Sequence, residues 1–90
     1  MSLPTITIEL FGMPRARAGV RELTVSAATV GEALAEIVAK CPTIADVLNA
    51  DGQLNPQYLL SLDGRRFVAD GSQPMQSGDR LLLLSADAGG

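Results

Sequence analysis

The sequence predicts a two-layer α+β domain, with strands packed on one main helix. Three stretches carry that reading. Residues 4–11 alternate apolar and polar side chains, residues 29–41 combine a helix-start signal with a single apolar stripe, and residues 81–84 are four consecutive leucines. One helix covers only one face of a sheet, which leaves two layers as the natural architecture.

In residues 4–11, Ile6, Ile8 and Leu10 fall on one face and Thr5, Thr7 and Glu9 on the other. Period two is the mark of a half-buried strand. Residues 12–19 break the pattern with Gly12, Pro14 and Gly19 and are expected to form a turn region. Residues 20–26 restore the alternation, with Leu23 and Val25 inward, so the two strands are expected to pair as an antiparallel hairpin.

Thr29-Val30-Gly31-Glu32 reads as a capping box, in which the Thr29 hydroxyl accepts from the Glu32 amide and the Glu32 carboxylate reaches back to the Thr29 amide. Val30, Leu34, Ile37, Val38 and Cys41 then share a stripe, and Glu36 and Lys40 form an i, i+4 pair in the favourable order. Pro42 disfavours helical geometry at Cys41 and ends the helix. Beyond it, Ile44, Val47 and Leu48 are expected to make a short helical turn within an excursion over one sheet edge, with a turn at Asp51-Gly52. A third strand follows over 58–62, and Asp63-Gly64 signals a tight type I′ turn into a short fourth strand. Residues 80–84 form the last strand. Four leucines cannot alternate in and out of water, so this strand is expected at the centre of the sheet.

Composition excludes several functions. Of 90 residues, 47% are hydrophobic but only 3% aromatic, too few for base-stacking platforms. A formal net charge of −3 argues against a phosphate-binding surface, and the local cluster Arg15, Arg17 and Arg21 is expected to be solvated. No nucleic-acid partner is expected. No stretch approaches membrane-spanning length, and Met1-Ser2-Leu3-Pro4 lacks the charged and apolar regions of a signal peptide, so neither a membrane partner nor export is expected. Cys41 is the only cysteine, which rules out an intramolecular disulfide and fits a cytoplasmic protein with a buried thiol. Histidine is absent, and with it the commonest general base and metal ligand. There is no metal-ligand spacing, phosphate-binding glycine loop or serine nucleophile elbow. No cofactor is expected. Without catalytic residues of its own, the chain enters chemistry as a substrate or as a non-catalytic subunit.

The substrate end is expected at the C-terminus. Ser85-Ala86-Asp87-Ala88-Gly89-Gly90 follows the last strand and holds no side chain able to anchor to a core. Residues 1–84 are therefore read as the domain and residues 85–90 as a flexible tail. Gly89 and Gly90, without Cβ atoms, can pass through a channel too narrow for side chains.

Taken in order, Leu10-Phe11-Gly12, Ala18-Gly19-Val20-Arg21-Glu22-Leu23, Thr29-Val30-Gly31-Glu32, Asp63-Gly64, Ser77-Gly78-Asp79 and the final Gly89-Gly90 resemble the β-grasp, ubiquitin-like sulfur carriers. The likeness is strongest to the small subunit of molybdopterin synthase, and it covers nearly the whole chain. It implies a mixed sheet of four to five strands. It also implies that a ubiquitin-activating-like enzyme uses ATP to convert the Gly90 carboxylate to an acyl adenylate, that sulfur displaces AMP to leave a thiocarboxylate, and that an acceptor such as the molybdopterin synthase large subunit takes the sulfur. Ser85 and Asp87 stand where family members often carry a proline and an apolar residue, which leaves the choice of partner open. Carriers for thiamin, cysteine or another thio-compound share the resemblance, although the thiamin carriers are typically shorter and lack an excursion like 45–56. Ubiquitin-like folds also serve as protein modifiers.

A partner needs a surface. Leu81 and Leu83 point opposite to Leu82 and Leu84, so one pair faces away from the helix. Leu81 and Leu83 are the expected pair, with Phe11, Leu60 and Phe67 extending the patch and Ser85, Ala86, Asp87 and Ala88 continuing it along the tail.

Overall fold

Hydrophobic alternation decides the sheet. The computed structural model describes residues 3–86. In β1 (Thr5–Leu10), Ile6, Ile8 and Leu10 are buried while Thr5, Thr7 and Glu9 face the other way. β2 (Glu22–Ser26) pairs antiparallel with it, Ile6 opposite Val25 and Ile8 opposite Leu23. β5 (Arg80–Ser85) runs parallel to β1 on its other side, and β3 (Tyr58–Leu62) pairs antiparallel with β5. β4 (Arg66–Phe67) closes the order β2-β1-β5-β3-β4. The sheet is mixed and five-stranded, and its four-leucine strand lies at the centre as the sequence predicts.

α2 (Val30–Lys40) covers one face of this sheet with Val30, Ala33, Leu34 and Ile37, all fully buried. Its start departs from the expected capping box by one residue. The Thr29 hydroxyl accepts from the Glu32 amide at 3.2 Å, but the Glu32 carboxylate takes the amide of Ala28 rather than that of Thr29. The remaining first-turn donors go to a loop: the Val30 amide donates to the Gln73 carbonyl at 3.0 Å and the Gly31 amide to the Gly71 carbonyl at 2.8 Å. Helix amides without intrahelical partners are thereby satisfied. At the other end Cys41 is the C-cap, half-buried against the core.

Residues 12–19 are the main difference from expectation. They form α1 (Gly12–Ala18) rather than a turn, with Pro14 in the first turn, where a missing amide costs nothing, and Gly19 as a left-handed C-cap at φ 76°. The seven-residue helix has no apolar stripe of its own to reveal it. Tertiary contacts hold it: the Thr43 hydroxyl donates to the Arg17 carbonyl at 2.7 Å, closing its C-terminal end against the next element. That element is a 3₁₀ helix, Pro42–Val47, which buries Ile44 and Val47 as expected of the excursion. At the β3–β4 connection Asp63 and Gly64 both take positive φ, 55° and 71°, as a type I′ turn requires. Arg65 joins the loop, so Leu62 pairs with Arg66 and β4 is only two residues long.

Gly31 permits the α2–loop junction. A Cβ there would lie 3.0 Å from the Gly71 carbonyl oxygen and 3.4 Å from the Gly71 Cα, so loop backbone rather than a flexible side chain would have to shift. Alanine gains about 1 kcal/mol of helix propensity over glycine in an open helix. Here overpacking, worth about 1–3 kcal/mol, opposes it. Gly31→Ala is expected to lower the thermal midpoint by several degrees, and a raised midpoint would show that the 71–73 loop yields freely.

Candidate functional site

The face of the sheet opposite α2 is built by parity. Arg80 opens β5 exposed, so Leu82 and Leu84 share its side while Leu81 and Leu83 turn under α2. Leu82 lies level with Glu9 on β1 and Ser61 on β3, and Ser61 in turn with Phe67 on β4; Leu84 lies level with Leu59. Phe11, extended at φ −130° and donating its amide to the Leu83 carbonyl, continues the outer side of β1 beyond Leu10. Leu59, Leu82, Leu84 and Phe11 are half-buried, and Phe67 is 66% exposed. Together they make an apolar strip across β5, β3 and β4, with Phe11 just past the end of β1.

The expected partner residues divide accordingly. Phe11 and Phe67 lie on this outer face. Leu60, Leu81 and Leu83 do not: all three are fully buried, Leu83 opposite Leu10 and Leu60, and Leu81 opposite Ile8 and Leu62. They belong to the core, and the pair on the open face is Leu82 and Leu84, both half-buried. The sequence held the signal that separates the pairs, because a charged Arg80 at the strand start must point outward and carries positions 82 and 84 with it. Leu59 was equally missed.

A charged group borders the strip. Arg80 Nη1 donates to Glu9 Oε1 at 2.9 Å and to Glu22 Oε2 at 3.4 Å, spanning β5, β1 and β2. Those carboxylates, Glu22 first, raise the Arg80 guanidinium above its ordinary value. The cluster holds one cation and two anions, so the strip ends on an acidic border.

Ser85 and Ala86 mark where the chain leaves the sheet. β5 runs one residue past the expected boundary at Leu84, Ser85 lies opposite Tyr58, and the Ala86 amide donates to the Gln57 carbonyl at 2.8 Å. Asp87, Ala88, Gly89 and Gly90 lie outside the described residues. Beside this exit is an open cavity of about 240 Å³ lined by Met13, Arg17, Asp46, Gln57, Tyr58 and Ser85. Within it Tyr58 Oη donates to Asp46 Oδ1 at 2.7 Å, while Arg17 Nη1 donates to Asp46 Oδ2 at 3.2 Å and to Tyr58 Oη at 3.1 Å. Burial first, then the hydrogen bond and the negative charge of Asp46, push the Tyr58 phenol above its ordinary value, so it stays a neutral donor. Arg17 is thus engaged rather than merely solvated. A second, apolar cavity of about 280 Å³ lies between Leu54, Pro56 and Leu59 on one side and Phe67 and Val68 on the other.

Among the described residues no three His, Cys, Asp or Glu side chains are grouped to hold a metal ion, and no helix is long and apolar enough to cross a membrane.

Solved structures share this architecture. SAMP1, the small archaeal modifier protein 1 of Haloferax volcanii, superposes with a TM-score of 0.79 at 27% identity, covering 90% of this chain and 93% of that one. The putative molybdopterin converting factor subunit 1 of Pyrococcus furiosus gives 0.74 at 18% identity, covering 91% and 97%. A chain in the Amycolatopsis orientalis BexX/CysO complex gives 0.76 at 18% identity, covering 89% and 93%. These are β-grasp, ubiquitin-like proteins, and the chain has their fold. No protein-family model and no curated protein matches the sequence.

Parity makes a direct prediction about polar substitution. Leu82→Asp is expected to cost about 1–2 kcal/mol, because its carboxylate reaches water but the half-buried leucine loses packing and the new charge lies opposite Glu9. Leu83→Asp would bury an unpaired charge at a cost of about 3–5 kcal/mol, much of the stability of a domain this size. Urea titration of the two variants checks this, and equal losses would contradict the assignment of the faces.

Proposed function

We propose that the chain is a sulfur carrier whose Gly90 carboxylate is activated by a partner enzyme and converted to a thiocarboxylate, serving as the small subunit of a molybdopterin synthase. The observation that carries this reading is the diglycine end, Gly89-Gly90, whose last residue is four beyond Ala86, at the end of the central strand of a β-grasp sheet. Four residues reach at most about 14 Å. That distance lets a terminal glycine enter a neighbouring protein's active site while the sheet face stays docked outside.

The chemistry follows from the carboxylate, which is ionised at physiological pH and therefore a poor acyl donor. In the proposed sequence a Gly90 carboxylate oxygen attacks the α-phosphorus of ATP and pyrophosphate leaves. Sulfide then attacks the acyl carbon of the adenylate, and AMP leaves with that oxygen. One oxygen of the carboxylate is replaced by sulfur, with no change in oxidation state. The acid, base and metal for both steps belong to the activating enzyme, consistent with a chain that has no histidine. The outer strip of half-buried Leu82, Leu84, Leu59 and Phe11 with exposed Phe67 is the surface on which that enzyme and the sulfur acceptor would dock, because accessible apolar side chains grouped together favour an interaction site. ATP-dependent activation is compatible with a cytoplasmic home.

A second reading shares the first step. The similarity at 27% identity to a protein named as a modifier supports an outcome in which a lysine amine, not sulfide, attacks the adenylate carbon and leaves an isopeptide.

Intact-mass measurement separates these outcomes. With an adenylating enzyme, ATP and sulfide, the chain is expected to gain the mass of one oxygen-to-sulfur exchange, and a chain lacking Gly89 and Gly90 is expected to gain nothing while keeping its thermal midpoint. No mass change with enzymes shown active on their own carriers would overturn the carrier reading. An isopeptide from Gly90 without a thiocarboxylate would favour the modifier.

A further inference from the structure

The segment between the 3₁₀ helix and β3 carries a run of hydrogen bonds that ends on the last described residue. Asn55 Nδ2 donates to the Asp46 carbonyl at 2.8 Å, and Asn55 Oδ1 accepts the Gln57 amide at 2.9 Å. The Gln57 carbonyl then accepts the Ala86 amide at 2.8 Å. Asn55 uses its backbone as well: its amide donates to the Val47 carbonyl at 2.9 Å and its carbonyl accepts the Tyr58 amide at 2.9 Å. One half-buried residue thus ties the 3₁₀ helix to the start of β3: its side chain holds the Gln57 amide, and its backbone carbonyl holds the next peptide, whose Gln57 carbonyl receives Ala86.

The far end of this run is itself fixed. Asp46 is held through both carboxylate oxygens, by Tyr58 from β3 and by Arg17 from α1, and Tyr58 is only 5% exposed. Three elements therefore converge on the point where β5 gives out. Asparagine suits the position for a chemical reason. Its side chain offers a donor and an acceptor at short reach, whereas aspartate keeps only the acceptor and alanine keeps neither.

We propose that Asn55 is a positioning residue for the C-terminal glycine, setting the direction in which the chain leaves Ala86 so that the end meets the activating enzyme's channel. This rests on the carrier reading. A loosened root spreads the end over more directions and lowers the fraction of encounters in which it is correctly presented, as with any loss of orientation before reaction. Such a loss raises the KM for the carrier. It leaves kcat unchanged, because that rate is set after the end is seated.

The test compares Asn55→Ala, Asn55→Asp and Gly31→Ala with the unmodified chain, well below all their thermal midpoints. Two quantities are read: hydrogen exchange of the Ala86 amide, and the steady-state kinetics of adenylation. Asn55→Ala is expected to speed Ala86 exchange and raise KM by about 3- to 10-fold, the loss of one or two ordinary hydrogen bonds, with kcat within about two-fold. Asn55→Asp, which keeps the acceptor for Gln57, should fall between, and it serves as the working variant if alanine prevents folding. Gly31→Ala, destabilised at the α2–loop junction, leaves the Asn55 side chain and the Gln57–Ala86 bond in place and should leave both readouts unchanged. Unchanged Ala86 exchange or an unchanged KM in Asn55→Ala overturns the proposal, as does an equal rise in KM for Gly31→Ala. A wild-type chain that no such enzyme adenylates overturns the carrier reading instead, and Ala86 exchange still decides whether Asn55 fixes the exit.

Discussion

The fold depends on a strand that must satisfy two faces at once. β5 has hydrogen-bonded neighbours on both edges and carries Leu81, Leu82, Leu83 and Leu84 in succession. Alternation sends Leu81 and Leu83 under α2, where each fully buried leucine contributes about 1.5–3 kcal/mol, and sends Leu82 and Leu84 to the side opposite α2. A protein needing only a stable sheet would place polar residues at 82 and 84, as it places Thr5, Thr7 and Glu9 on the same face of β1. The apolar choice at the centre, with Leu59 and Phe67 beside it, fits a face that is covered by another protein for part of its life.

Much of this was legible because the signals are local and repeat at the element's own period. Ile6, Ile8 and Leu10 marked β1, Thr29 and Glu32 marked the start of α2, and Asp63-Gly64 marked a turn with two positive φ angles. What escaped depends on contacts distant in sequence. α1 is tied by Thr43 and Asp46 to a distant element, and its local traces were the helix formers 15–18 between Pro14 near its start and Gly19 past its end, too short a run to outweigh the turn formers. The direction of the leucine pairs escaped for a different reason. A four-leucine run has no internal parity, and the answer lay just outside it at Arg80. The Arg17–Asp46–Tyr58 network joins residues up to 41 positions apart, which no spacing rule brings together.

The same geometry would link the proposed docking face to the proposed chemical end. The outer strip runs along β5 towards Leu84, and the next two residues carry the chain past Tyr58 to the Gln57 carbonyl. A partner seated on the strip is therefore beside the exit without any rearrangement of the domain. The acidic border made by Glu9 and Glu22 around Arg80 lies at the opposite end of the strip, where it would favour a partner with complementary basic groups and fix which way round it docks.

Amide chemical-shift mapping of the labelled chain, titrated with an unlabelled adenylating enzyme that converts it, measures this docking directly. Shifts and line broadening should concentrate on Phe11, Leu59, Phe67, Leu82, Leu84 and Ala86, leaving Glu36 and Lys40 on the outer side of α2 unchanged. A footprint centred on α2, with the sheet face silent, would contradict the assignment of that face to the partner.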